Sequence, residues 1–456
     1  EQELGHSLEA EGFRLDWFEK ITARHVLSHS AGTPHGEGGA TYPLFFEPGS
    51  QWKYSAAGYY FLQKVVEHVK GKKLEAVIDE YVISPLRMKR SSMVWRDEYE
   101  KTMANGHDAF GNANDFRRRR EAHAAASLYT TAGDYARFVC AVLNGEGLEA
   151  DTRIEMLTSH IEMNDDWDLD WSLGFGLQND ANGAAFWQWG DYGIFRNYIL
   201  AYPEHGTGVV YLTNSFHGLA VCGDIVARSI GGRAAGNAAL EYLPYDSPMY
   251  AFLWDLNDNG PGVAKTKLPG LIKRHPEVFT LDRLSAFAGL FEEQGMFAEA
   301  IAIYECRLEE RPRSGRAMFD LARACLGSGN HDRARGLYRQ SLEAAEDSVD
   351  AAGVEWAMDY IRALEKPLQL EAAYMQKIAG DYENRHLSVR DDTLFYFREN
   401  AGSRSPRPLL ALSRDVFILP GTIYFKLKVE FDDEGVPVKL VGLYENGYRD
   451  ESKRNR

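Results

Sequence analysis

The chain has 456 residues, 45% of them hydrophobic and 26% charged, with 24 Tyr and 9 Trp; this is material for about two or three domains with sizeable cores. Its formal charge of −16 and pI near 5.4 argue against nucleic acid or an anionic membrane surface as the main partner. Cys140, Cys222, Cys306 and Cys325 show no C-x-x-C spacing, so neither a zinc site nor a disulfide framework is indicated, and no apolar run reaches bilayer-spanning length. The sequence begins at Glu1 and not at Met, and we expect a leader, or more, ahead of it.

In chain order, "ITARHVLSHSAG" reads as a short helix with Thr22 as N-cap and Gly32 past its end. "SAAGYYFLQKVVEHVKG" reads as a second, capped by Ser55 and stopped at Gly71. Its apolar face of Tyr59, Leu62, Val65, Val66 and Val69 is expected to pack against something large. The basic run "FRRRRE" at 116–121 reads as a solvated loop. "TAGDYARFVCAVLNG" is a third helix, from Thr131 to Gly145, and "NYILAYP" and "TGVVYLTNS" are adjacent strands joined by "PEHG". Strands beside long amphipathic helices suggest an α+β layer, an antiparallel sheet covered by helices.

From about 268 to 366 the text is all helical. A shift of 34 residues superposes Gly295 on Gly329, Ala300 on Ala334, Tyr304 on Tyr338 and Leu308 on Leu342. That period resembles the tetratricopeptide repeat, and flanking helices such as "VEWAMDYIRALEK" are needed to cap so short a stack. After Pro367 the pattern alternates with a period of two, with turns at Asp391-Asp392 and Glu434-Gly435. This predicts a small all-β module, a closed or nearly closed antiparallel sheet. The resulting domain expectation is 1–245, 246–367 and 368–456.

Four motifs carry candidate chemistry. Ser50-Gln-Trp-Lys53 matches S-x-x-K, the pattern of a serine nucleophile with its lysine base. Here the pair follows Pro48-Gly49 and precedes the helix start at Ser55, so it sits in a turn and not on a helical face; the match is read as accidental. Tyr54-Ser55 at a loop-to-helix junction can aim two hydroxyls into one cleft, and a tyrosine beside a lysine can shuttle protons; the plain alternative is that Tyr54 packs and Ser55 caps. His25 and His29 at i, i+4 lack the glutamate and third ligand of a zinc helix, so no metal or other cofactor is expected, and His29-Ser30 reads as capping and packing. In "FWQWGDYGIFRNYIL", Gly190 and Gly193 bracket a tight turn, where strand-edge N–H groups could meet a substrate oxyanion. The alternative is an ordinary hairpin with Trp187 and Trp189 in the core.

Taken together, "ITARHVLSHSAGTP", "FEPGSQWKYSAAGYYFLQKVVEHVKGKKLE", "ISPLRM", "AAASLYTTAGDYARF", "LGFGLQ" and "WQWGDYGIFRNYILAYPEHGTGVVYLTN" resemble the serine β-lactamase-like hydrolases: class C β-lactamases, D,D-peptidases and esterases. The resemblance runs from about Ile21 to Gly232. It implies a β-lactamase-like fold, an antiparallel sheet flanked by helices, followed here by the all-helical repeat segment and the β-module. It implies that Tyr54 matches the family's catalytic tyrosine, and that Ser55, Gln188, Trp189 and Gly190 lie in the substrate-binding and oxyanion region. Ala56 stands where the family has asparagine, and Gln188 where it has Lys or His. Both departures weaken the case for β-lactams and leave esters or other amides open.

The family's S-x-x-K helix precedes the "ITxRHLLxH" segment, so the resemblance implies a nucleophilic serine and base lysine upstream of residue 1. The expected partners are a small-molecule or peptide-like ester or amide substrate, and a protein partner on the helical repeats. The resemblance also raises an exported or periplasmic location. The competing expectation is a non-catalytic binding protein with a degenerate cleft and a peptide-binding groove.

Overall fold

The computed structural model describes residues 15–35, 44–116, 118–344, 347, 349, 351–399, 405–445 and 447–455; Ser7 and Arg117 lie outside them. The chain divides into two compact units, Glu1–Ser247 and Pro248–Arg456. Among the described residues no helix is long and apolar enough to cross a membrane.

Local chemistry sets the helices of the first unit. Helix α1 (Ala23–Leu27) begins where the Thr22 hydroxyl accepts from the His25 N–H. It stops well before the expected end, because Ser28 closes it and His29 takes a left-handed backbone, φ 53°. Helix α2 (Ala56–Lys70) is capped by Ser55, whose hydroxyl accepts from the Gly58 N–H, and ends at Gly71 with φ 62°. Such an N-cap contributes about 1 kcal/mol. Its expected packing face is only partly right: Tyr59, Leu62 and Val66 are half-buried, while Val65 and Val69 are exposed. The buried side of α2 is carried by Ala56, Gly58 and Gln63 instead, because small residues there let the helix lie close to Val26 and Thr33. Helix α3 (Ala132–Asn144) runs between a Thr131 cap and Gly145 at φ 72°.

A six-stranded antiparallel sheet forms the centre of this unit. Its strands are β1 (Ile161–Asn164), β2 (Leu169–Trp171), β3 (Gly176–Asp180), β4 (Gly183–Asp191), β5 (Arg196–Tyr202) and β6 (Thr207–Thr213), paired in sequence order. Alternation along β4 and β5 sends Trp187, Tyr198, Leu200 and Tyr202 to one face, under helix α4 (Cys222–Ser229). Phe186, Ile199 and Ala201 go to the other, against Val139 and Val142 of α3. Each such buried large side chain contributes about 1.5–3 kcal/mol, so the two faces fix the register strongly. Residues 116 and 118–121 are irregular, with Arg118 paired to Glu100 and Asp115 and Arg120 to Asp97 at the surface.

In the second unit, helices Pro248–Asn259 and Gly262–Arg274 precede the repeats. The repeats are α5 (Leu281–Glu293) with α6 (Phe297–Glu310), and α7 (Gly315–Gly327) with α8 (His331–Glu343). Corresponding helices start 34 residues apart, and Gly295 and Gly329 make the turns at φ 72° and 84°. Ala300, Ala334, Tyr304 and Tyr338 are all fully buried, as the repeat requires, whereas Leu342 is exposed. Helix α9 (Ala351–Glu365) packs on α7 and α8 and closes the stack.

The β-module is all antiparallel, as expected, and its strands fall into two sheets. Strands β7 (Gly380–Tyr382), β8 (Arg385–Arg390), β9 (Thr393–Arg398) and β10 (Arg407–Pro408) form one. Strands β11 (Leu410–Ala411), β12 (Val416–Ile418), β13 (Phe425–Phe431), β14 (Pro437–Tyr444) and β15 (Arg449–Lys453) form the other. An isolated bridge, Tyr382 to Arg454, joins them. The two sheets arise because β10 and β11, only two residues long each, end one sheet and begin the other around buried Leu409. Tyr382, Leu387, Phe417, Leu427 and Leu440 fill the space between the sheets.

Candidate functional site

Tyr54 sits in the extended run just before α2. Its ring is gripped by three others: His29 at 4.5 Å between centroids, Trp189 at 5.2 Å and His35 at 5.3 Å. Among the described residues its hydroxyl forms no hydrogen bond. Burial pushes this phenol above its ordinary value. The expected help from a neighbouring cation is not there: the Lys53 ammonium lies 3.7 Å from the centre of the Phe45 ring.

Ser55 is buried and its hydroxyl is fully engaged. It accepts from the Gly58 N–H at 3.1 Å, donates to the Pro34 carbonyl at 2.8 Å and lies 2.8 Å from the Thr33 hydroxyl. Ser50 donates to the Glu47 carbonyl at 2.6 Å within a turn, and neither it nor Lys53 is on a helix.

His29, read from sequence as a packing residue, is the hub of this corner. Its ring also meets Tyr59 at 5.1 Å, Trp171 at 5.2 Å and Trp52 at 6.2 Å, and its Nδ1 accepts the Ser55 N–H at 3.2 Å. An accepting Nδ1 requires a neutral ring with its proton on Nε2. Burial, and then the nearby His35, lower the His29 pKa to about 3, so the neutral form holds throughout the physiological range. Because His29 lies beyond the end of α1, the His25–His29 spacing is not a helical i, i+4 pair.

Strand β4 supplies the other side. Its pairing with β3 ends at Trp187 opposite Gly176, while its pairing with β5 continues through Gln188, Trp189, Gly190 and Asp191. Residues 188–191 therefore overhang β3 and present one open backbone edge. The Trp189 N–H is not free there: the Gln188 Oε1 accepts it at 3.0 Å, and the Gln188 amide in turn donates to the Gly174 carbonyl at 2.9 Å. Gly190 lies within the strand, opposite Asn197, and the turn itself occupies 192–195 with Gly193 at φ 69°.

A cavity of about 640 Å³ opens against this strand, bounded by Gln188, Trp189 and Gly190 on one side and Tyr129, Thr131 and Tyr135 on the other. That volume lies in the range of small-molecule sites. Tyr54 and Ser55 are not among its lining residues. Tyr54 touches Trp189, yet successive strand residues point to opposite faces, so Gln188 and Trp189 cannot both turn toward the phenol. The structure thus brings Tyr54 to Trp189, and separately brings Gln188, Trp189 and Gly190 to the cavity. Gln188's use as a cap on Trp189 was invisible in the sequence, since a glutamine amide carries no spacing signal.

An antiparallel sheet with helices on both faces is the architecture of a β-lactamase-like fold. Residues 11–228 match the Beta-lactamase family model and residues 292–354 match the Tetratricopeptide repeat, so the chain carries a β-lactamase-family domain followed by tetratricopeptide repeats. Among solved structures, the D-stereospecific amidohydrolase from Streptomyces sp. is 17% identical over 51% of this chain and 78% of its own, with a TM-score of 0.43. The penicillin-binding protein from Bacillus halodurans is 21% identical over 50% of this chain and 76% of its own, with a TM-score of 0.39. The octameric penicillin-binding protein homologue from Pyrococcus abyssi is 15% identical over 99% of this chain and 83% of its own, with a TM-score of 0.38. No curated protein matches the chain.

Proposed function

We propose that the first unit serves acyl transfer from an ester or amide substrate to a serine nucleophile, with Tyr54 moving the proton. The observation that carries this reading is the Tyr54 ring, fixed by His29, His35 and Trp189 while its hydroxyl has no hydrogen bond among the described residues. A rigidly held phenol is suited to hand a proton between nucleophile and leaving group. In this reading the serine attacks the substrate carbonyl, the alcohol or amine leaves with the proton, and water later cleaves the acyl-enzyme. The serine and its lysine come from the S-x-x-K helix that the resemblance assigns ahead of Ile21. The Trp189 N–H holds the oxyanion once the Gln188 side chain swings aside. With no cation at Gln188, the site favours substrates without a terminal carboxylate. The tetratricopeptide repeats suggest protein interaction, and on this reading they bring a protein partner to the hydrolase.

The test is a fluorophosphonate probe applied to the protein as its gene encodes it, with the labelled peptide mapped. We expect the label on a serine outside residues 1–456, and labelling about 100-fold slower in Tyr54→Phe. Label on Ser50 or Ser55, or an unaltered rate in Tyr54→Phe, overturns the proposal.

One observation favours a second reading, a binding protein with a disused cleft: the Gln188 amide already occupies the Trp189 N–H, the group an oxyanion would need. Under that reading no serine is labelled at all.

A further inference from the structure

The β-module contains a second, smaller pocket that the hydrolase reading does not use. It is about 150 Å³ and is bounded by Tyr396, Arg398, Arg407, Tyr424, Phe425 and Tyr444. A cavity of about that volume takes one benzene-sized ring. Tyr396 and Arg398 are two apart on β9 and so share a face. The Tyr396 and Phe425 rings stack with centroids 5.9 Å apart, and Tyr444 meets Phe425 edge-on at 5.3 Å. Tyr424 is 56% exposed at the rim.

Two of the residues that bound this pocket, Arg398 and Arg407, are arginines. Arg385 is completely buried and pairs through Nη2 with Asp450 Oδ1, while Arg398 Nη2 takes the other oxygen, Oδ2, at 2.7 Å. Arg398 also donates from Nη1 to the Tyr444 hydroxyl at 3.0 Å. Arg407 donates through Nη2 to the Pro420 carbonyl, and among the described residues no carboxylate lies within ion-pair distance of it. Arg385 and Arg398 therefore share the Asp450 carboxylate, whereas Arg407 is met by a carbonyl and, among the described residues, by no carboxylate. Clustered cations in partly desolvated surroundings are unfavourable unless an anion joins them, and guanidinium is well shaped to receive a planar carboxylate.

We propose that this pocket binds a small aromatic carboxylate of one ring, with the ring among Tyr396, Tyr424 and Tyr444 and the carboxylate on Arg407. Benzoate is the probe, titrated calorimetrically into the full chain up to about 10 mM, where a millimolar or tighter site saturates. Benzyl alcohol tests the charge and inorganic phosphate tests the ring. We expect saturable one-to-one benzoate binding, with both comparison ligands at least about tenfold weaker. Arg407→Gln should weaken benzoate about tenfold while its unliganded melting temperature stays at the parent value. Tyr424→Ala, at the exposed rim, should weaken benzoate with no change in melting, which keeps the test valid if the arginine variant misfolds. Absence of saturable benzoate binding, phosphate binding as tightly as benzoate, or both variants binding like the parent overturns the proposal.

Discussion

At the scale of single residues, His29 links the stability of the first unit to pH. In the unfolded chain its imidazole takes a proton near 6.5, whereas in the folded chain it does so only near 3. Between those values the unfolded state binds more protons, so His29's contribution is full above 6.5 and is lost as the pH falls toward 3. At its steepest the loss is about 1.4 kcal/mol per pH unit. Thermal melts across that window should show the first unit weakening on acidification, and His29→Gln should flatten the dependence while lowering stability at neutral pH. A parallel slope in the variant would assign the effect to other groups. Much at this scale was legible beforehand. Thr22 and Ser55 cap helices as read, and Thr131, read as lying at a helix start, caps its own, because a hydroxyl just ahead of an apolar run has one favourable use. Ser50's placement in a turn followed from Pro48-Gly49. The roles of His29 and Gln188 were not legible, since each depends on partners more than ten positions away, Ser55 and Gly174.

At the scale of elements, the β8–β9 hairpin turns on Asp391 and Asp392, at φ 46° and 55°. Two left-handed residues make the tight turn that matches strand twist, and glycine is the best residue for its second position. Asp392→Gly should therefore stabilise the second unit by about 0.5 kcal/mol, the relief of the left-handed backbone slightly exceeding the added freedom of the unfolded chain. Denaturant melts of the full chain measure this; a loss of stability would show that the Asp392 carboxylate has a role of its own. The turn was readable from its acidic pair, as were the repeats from their period of 34. The packing face of α2 was misread because hydropathy marks what can be buried, and the approach of Val26 and Thr33 decides what is. The split of the β-module into two sheets was equally hidden, since period-two alternation is the same in one sheet or two.

At the scale of the whole molecule, the repeats and the β-module are bound within the second unit by α9. Trp356 Nε1 donates to the Ile423 carbonyl at 2.6 Å, the Gly421 N–H donates to the Tyr360 hydroxyl at 2.6 Å, and Asp359 pairs with the buried Lys426 at 2.9 Å. The Lys426 ammonium also lies 4.0 Å from the centre of the Trp356 ring. Asp359→Asn leaves that ammonium desolvated and half-partnered, at a cost of up to about 3 kcal/mol, with the partial exposure of Asp359 reducing it. Hydrogen exchange should show 281–365 and 380–453 losing protection together, while loss confined to one of them would show that α9 does not couple them.

Helix α9 also bears on how the chain can be recombined. It closes the repeat stack with one side and seats the β-strands with the other, so a cut at Pro367 would strip the β-module of its floor. A chimera that transplants the sheets must carry residues 351–365 along with them, and one that lengthens the solenoid must insert its new repeat ahead of that helix.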